Sequence, residues 1–448
     1  MNPKSAGSEA IPFSAAQRGE VIATQGNIRR WIEPWYGAYA ILGALTSGLA
    51  VIAIPLVITG GGGNATMIGT TIAAQNIGAL LAPFWGIIAD RTKAFRAVFF
   101  IGFILIGLGF LLLSALHSFR GWAGGAFLIG FGTGASNTVA SLFVVEFTPK
   151  EEWAQRISWM QTFNALGSVL GMALAGLLAP RFDTLLAALL VIPAILIGRR
   201  GLPMPGTPFH IPRRHLHGAK LVSLSQTTGP NSMSVIAHLH LPSLRQFRAL
   251  RSPLTSGFGV FLICWFLISL AVSSFASLYP VLMEKSFGIS VARSSLLMAI
   301  ATGLSIPFYN FAGRMTASHG PAAVLGIGIS GRIIGLSGLA GVGFLHVGWA
   351  ILPVTIMFGL YQGIWPLLGV ASNDFAAGLA PFGEGAAMGL FNADAAIASA
   401  LGAVLGGKIA DLFGFPAVCV FAAVVAVLAL ACTVVLLKSQ GPKDMAES

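Results

Sequence analysis

Apolar residues run along the chain in blocks, each of roughly 20 residues and long enough as a helix to cross about 30 Å of hydrocarbon. Short polar breaks separate the blocks. The runs predict membrane-crossing helices over residues 36–58, 67–89, 97–116, 121–145, 157–179 and 184–198. After a long polar stretch, six more are predicted over 254–282, 293–312, 321–345, 347–371, 386–409 and 415–437. One boundary shows how abrupt the breaks are. In PFWGIIADRTKAFR, residues 83–96, the chain passes from Pro83, Phe84 and Trp85 to Asp90, Arg91, Lys93 and Arg96 without a polar spacer.

Composition identifies the apolar medium as lipid. The chain is 55% hydrophobic and 9% charged, with a mean hydropathy of +0.82, whereas a soluble domain carries about 25% charged residues. Cationic loops stay on the cytoplasmic side of a membrane. If the N-terminus is inside, most of the 26 Lys and Arg fall on inner segments, so both termini are expected in the cytoplasm. The net charge of +11 then reflects topology, and a nucleic-acid partner is not expected. Residues 1–35 have no apolar core ahead of a small-residue cleavage site and read as a cytoplasmic tail, not a signal peptide. Arg29, Arg30, Trp31 and Trp35 are expected to form an interfacial belt. Cys264, Cys419 and Cys432 all fall within spans, too scattered for a disulfide framework or a metal cluster. No metal and no cofactor are expected.

The two halves of the chain resemble each other. IPLV at 54–57 answers YPVL at 279–282, so Pro55 corresponds to Pro280, and Pro83-Phe84-Trp85 corresponds to Pro307-Phe308-Tyr309. Glu146-Phe147 pairs with Asp374-Phe375, Phe163-Asn164-Ala165 with Phe391-Asn392-Ala393, and GSVLG at 167–171 with GAVLG at 402–406. The matches keep one order and lie about half a chain apart. They argue for a duplicated six-helix unit, a parallel repeat whose substrate site lies at the repeat interface near midmembrane. The expected organisation is a tail (1–35), a six-helix bundle (36–198), a basic linker (199–252), a second bundle (253–437) and a tail (438–448).

On these features the chain resembles the major facilitator superfamily over residues 36–437. The family's hairpin between its second and third helices carries Gly, two residues, Ala, Asp and Arg, and Gly86, Ala89, Asp90 and Arg91 match in register. Two positions depart. Lys93 stands where the family has a second Gly, and Ala94 replaces a usual Arg, for which Arg96 is the nearest substitute. In the second half the hairpin is reduced to Gly313-Arg314. The resemblance implies a twelve-helix, all-α membrane fold and a transporter rather than an enzyme. It also implies a latch. Gly86 would let the eleventh helix approach, the N-terminus of that helix would favour the Asp90 carboxylate, and Arg91 would pair with Glu146.

Charges within spans need a reason, because each costs about 2.5–3.5 kcal/mol at a helix centre on insertion scales. Two sit deep, Arg332 in the ninth span and Asp394 in the eleventh. Asp394 reads as a proton or cation carrier, and Arg332 as an anchor for an anionic substrate or for Asp394, or else the two form a buried packing pair. The resemblance places the ninth helix at the periphery. Gln75, Asn76, Asn137, Gln161, Asn164, Gln362 and Asn392 are further mid-depth candidates, although hydrogen bonds between helices explain such side chains equally well. Tyr361 and Trp365, one turn apart, could form an aromatic wall. Gly130/Gly134, Gly167/Gly171 and Gly402/Gly406 are spaced for close helix contact. Met172 after Gly171, and the absence of Arg from 121–145, depart from the drug/proton antiporter pattern.

The linker between Arg199 and Arg251 is basic and without Asp or Glu, and it carries His215/His217 and His238/His240. Attraction to anionic inner-leaflet lipid is the expectation, and no Cys or carboxylate accompanies the His pairs to make a metal site. No phosphate-binding GxxxxGK[ST] loop occurs. The expected function is secondary transport of a small solute by alternating access, driven by a proton or other gradient. The protein is expected to work as a monomer, and its Gly and Ala richness suggests a bacterial inner membrane. The alternative is a transport-inactive scaffold or sensor that assists assembly of a membrane complex.

Overall fold

The computed structural model describes residues 31–148, 152–178, 180–202, 257–345, 351–378 and 384–440, excluding a few side chains within these stretches. Their regular structure is helical throughout. In chain order the helices of the first half are α1 (Tyr36–Gly60), α2 (Ala65–Ala89), α3 (Phe95–Ala115), α4 (Phe119–Phe147), α5 (Trp153–Leu177) and α6 (Pro180–Gly201). Those of the second are α7 (Gly257–Ala276, followed by Tyr279–Phe287), α8 (Val291–Ser305 and Phe308–His319), α9 (Pro321–Leu345), α10 (Ile351–Ala376), α11 (Glu384–Phe413) and α12 (Phe415–Gln440). Most predicted spans agree with these to within about five residues, but the eighth runs on from 312 to His319 and the seventh breaks after Ala276 and resumes over Tyr279–Phe287. The pieces of α8 meet at 48° beside Pro307, a bend that hydropathy does not reveal. The linker beyond Leu202 and the pairs His215/His217 and His238/His240 lie outside the described residues.

The exposed surface explains the composition. On α3, Phe99, Phe103, Ile106 and Phe110 are buried, while Ile101, Ile104, Leu108 and Leu111 face outward. Such an apolar outer face has no favourable contact with water and belongs against lipid tails, with the tighter side turned to the other helices. The chain is a multi-pass membrane protein.

Small residues set the packing inside each half. A side chain at Gly167 or Gly171 would run into the Ala40 or Ala44 carbonyl of α1, and one at Gly402 or Gly406 into the Leu270 or Ser274 carbonyl of α7. The repeat seen in sequence is therefore a repeat in space, with α5 lying on α1 as α11 lies on α7. Within α1, Ala44–Leu49 forms a wider, π-helical turn along this seam. Gly130 abuts the Gln75 carbonyl of α2. The symmetry is not complete, since α1 continues through Pro55 whereas the chain breaks at Leu278 ahead of Pro280. One anchor differs from expectation. Trp35 is not an interfacial residue but is 2% exposed, edge-on to Tyr36 and Phe99, because the chain turns inward ahead of α1. Trp31 lies beside Arg156, 6.0 Å from its guanidinium.

The halves meet at the end of the molecule away from residues 91–96. There the backbone of α2 at Gly69 reaches that of α11 at Ala403, Gly407 of α11 reaches Ala65, and Gly176 of α5 faces Ala292 and Ser295 of α8. At the other end, Ala82–Thr92, Phe308–His319 and Trp365–Gly378 pack within their own halves. The result is a cleft whose tight end is remote from the 91–96 hairpin.

Candidate functional site

Midway along the helices the cleft holds a cavity of about 1000 Å³, counting its open mouth. Both halves line it, α1, α2 and α5 from one and α7 to α10 from the other. The wide turn of α1 contributes Ser47 and α2 contributes Gln75 and Asn76. Half of the lining residues from α7 and α10 are aromatic. Phe275 meets Tyr361 edge-on at 4.8 Å between ring centroids, and Tyr279 lies 4.6 Å from Phe358.

Arg332 supplies the charge. It is 4% exposed and is the one ionisable Asp, Glu, Lys, Arg or His side chain among the lining residues. Its guanidinium carbon lies 4.0 Å from the Tyr361 ring centroid and 5.0 Å from that of Trp365. Guanidinium stacks on aromatic faces in this way because the ring quadrupole attracts a cation. The stacking fixes the plane of the group without occupying its donors. Nε and Nη1 have no hydrogen-bond partner among the described residues.

The cavity gathers six of the sequence candidates: Gln75, Asn76, Arg332, Tyr361, Gln362 and Trp365. Gln362 donates to the Thr302 hydroxyl at 3.4 Å. The ninth helix is thus not peripheral to the site, since α9 turns Arg332 into the cavity between α7 and α10. Asn164 has another task, its amide donating to the Tyr39 carbonyl at 3.2 Å and tying α5 to α1. Asn137, Asn392 and Asp394 are half-buried and do not line the cavity. Asp394 forms no ion pair with Arg332 among the described residues, and its Oδ2 is buried without a hydrogen-bond partner.

Sequence reasoning missed Ser273, Ser277 and Thr302, which line the cavity from α7 and α8. Single hydroxyls in apolar runs bond their own helix backbone too often to stand out, as the Ser305 hydroxyl does in donating to the Thr302 carbonyl at 2.8 Å.

The hairpin candidates lie at the far end. Gly86 faces the Thr138 methyl of α4 at ordinary contact distance, and Arg91 is exposed. Arg96 donates to the Arg199 carbonyl at 2.7 Å, holding the start of α3 to the end of α6. The side chains of Asp90 and Glu146 lie outside the described residues. Lys93, in the position of the family's second Gly, has a φ of 54°, the left-handed region that glycine enters without strain.

A sequence profile described as Major Facilitator Superfamily matches residues 37–393. No curated protein matches the chain. Among solved structures, the nucleoside transporter NupG superposes with a TM-score of 0.70 at 14% identity, covering 90% of this chain and 97% of the other. A D-xylose-proton symporter gives 0.65 at 14% identity, covering 89% and 96%. A bacterial homologue of the human lysosomal transporter Spinster, inward-facing and unoccupied, gives 0.65 at 12%, covering 95% and 98%. At these identities the likeness is one of fold.

Proposed function

The chain belongs to the major facilitator superfamily, and we propose that it carries a small solute across the membrane by alternating access, with the central cavity as the solute site. The observation that carries this reading is the cleft, with a polar and aromatic cavity at its middle, a seam between the halves at one end and separate packing of each half at the other. A rocking of one half against the other would part the seam and bring together the ends that carry residues 82–92 and 365–378.

Coupling to a proton gradient is assigned to Asp394. Support comes from its place in α11, away from the cavity, where a buried carboxylate oxygen lacks a partner. Among the described residues no cation pairs with this carboxylate, and binding a proton would remove its charge. The hairpin residues Gly86, Asp90 and Arg91, with Glu146, would latch the opposite end when it closes, while Arg96 braces α3 on α6. The remaining parts of the reading are a monomer in a bacterial inner membrane, termini in the cytoplasm and the basic linker against anionic lipid.

The test is solute uptake into liposomes containing the purified protein under an imposed pH gradient, comparing parent and Asp394→Asn. Gradient-driven accumulation in the parent, reduced to equilibration in the variant, is the expected result. Equal accumulation by both would remove Asp394 from coupling. The absence of flux for a broad solute panel under any gradient, with a partner protein co-purifying, would favour the scaffold instead.

A further inference from the structure

The cavity carries more information than its position. Resting on the reading of that cavity as the solute site, we infer that the solute is a small organic monoanion, and that Arg332 binds its carboxylate or equivalent acidic group.

Among the described residues Arg332 is a fixed cation without a counter-ion. It is 4% exposed, and neither of the two ion pairs formed among the described residues includes it. No Asp, Glu, Lys or His and no second Arg lines the cavity. Deprotonation is no escape for guanidinium, which stays charged in proteins, and the rings of Tyr361 and Trp365 stabilise the cation while Nε and Nη1 keep no hydrogen-bond partner among the described residues. A buried cation with unpaired donors is chemically suited to an anionic partner. Structural burial alone would call for a carboxylate partner, and the nearest candidate by depth, Asp394, is not one.

The rest of the wall defines the body of the solute. Only one positive charge faces the cavity, which matches a single negative charge, since a second would be buried without compensation. Tyr361 and Trp365 flank the guanidinium, and Phe275 and Phe358, packed next to Tyr361, extend the aromatic surface along the wall. Gln75, Asn76 and Gln362 offer amide donors and acceptors elsewhere in the wall. A planar or apolar body bearing one acidic group and a few hydrogen-bonding atoms satisfies each of these surfaces. A cation would meet Arg332 directly and be repelled, and a neutral solute of the same shape would leave its donors unpaired.

The experiment measures binding to the detergent-purified full chain by quenching of tryptophan fluorescence, with isothermal titration as a second readout. Benzoate, benzamide and benzylamine serve as an anionic, neutral and cationic series of one shape. Aliphatic carboxylates, sugar monophosphates and sodium chloride form the further arms. Benzoate or another organic monoanion is expected to bind at least about ten-fold tighter than its neutral counterpart. Arg332→Gln should abolish that preference and Arg332→Lys should retain part of it. The charge series in the parent protein stands even if the variants fold poorly. The inference is overturned if neutral or cationic members bind as well as the anions, if chloride competes as strongly as the organic anions, if folded Arg332→Gln keeps the preference, or if no anion in the set binds. Counterflow in liposomes separates this outcome from that of the transport reading. An anion that binds through Arg332 but never crosses removes transport and leaves the anion site, whereas a neutral solute that crosses while no anion binds does the reverse.

Discussion

The carboxylate of Asp411, near the end of α11, accepts a hydrogen bond from the backbone amide of Thr66, at the start of α2, at 2.8 Å. Its other oxygen accepts from the Ala65 amide at 3.0 Å. A helix leaves its first amides without partners within the helix and carries partial positive charge there. Asp411 fills both needs from the opposite half of the molecule. The contact joins the halves at the sealed end of the cleft, where Gly69 and Gly407 also bring α2 and α11 backbone to backbone.

In the proposed rocking of the halves this contact would exist only while that end is closed, and so would bias the equilibrium between the two open states. Asp411 is exposed, and at such a site the pair of bonds is worth about 1 kcal/mol, a shift of about five-fold in population. Asp411→Ala is expected to favour opening of the sealed end, and Asp411→Asn, which keeps one acceptor, to do so less. The check is the labelling rate of Ser273→Cys by a membrane-impermeant thiol reagent added on the side away from the 91–96 hairpin. An unchanged rate in Asp411→Ala would show that the glycine contacts alone hold the seam.

Lys93 occupies the left-handed region at the end of the second piece of α2 (Ala82–Thr92), with its amide bonded to the Ala89 carbonyl at 2.8 Å. A side chain there crowds the backbone, which glycine avoids. Lys93→Gly is expected to raise stability by about 1 kcal/mol, net of the added freedom of the unfolded chain. Thermal melting of the purified protein measures this, and a lower melting point would mean that the Lys93 ammonium, 5.7 Å from the Phe95 ring centroid, contributes more than the strain costs.

The glycine faces give a sharper contrast. Gly171 has no room for a methyl group against Ala44, while a methyl on Gly124 of α4 would meet nothing within 4 Å. Gly171→Ala is expected to cost about 1–3 kcal/mol through forced separation of α1 and α5, and Gly124→Ala to be neutral or slightly stabilising. Melting points that fall equally for both would indicate a general intolerance of the membrane helices rather than local packing.

Much of the fold was legible because lipid imposes a simple rule, that a crossing helix must be long and apolar. The span 321–345 coincides with α9, and Gly167, Gly171, Gly402 and Gly406 pointed to contacts that do form. The site was half legible. Depth along a helix can be counted from sequence, and this singled out Arg332, Gln75 and Tyr361, which line one cavity. Azimuth cannot be counted when every face is apolar, so depth alone does not tell that Arg332 lines the cavity while Asn392 and Asp394, at similar depth, do not; the peripheral ninth helix was an implication of the family resemblance. Asp411 escaped attention for a related reason. A carboxylate at a helix end looks solvated until the partner helix is placed beside it.

The stacking of Arg332 on Tyr361 separates two roles that loss of charge would confound. Tyr361 is 2% exposed and its ring lies 4.0 Å from the guanidinium, so it orients the cation without sharing its charge. Tyr361→Phe keeps the ring and removes a hydroxyl that has no hydrogen-bond partner among the described residues, and it should leave binding of an organic anion nearly unchanged. Tyr361→Leu removes the face, worth about 1–2 kcal/mol at a desolvated site, and frees the guanidinium to swing toward Trp365. Anion affinity is then expected to fall about ten-fold with the preference for anion over neutral retained, because the charge remains. Titration of benzoate and benzamide against both variants reads the two effects separately. If Tyr361→Leu lost the charge preference as well, the ring would be fixing whether Arg332 faces the cavity at all, and not only how it is aimed.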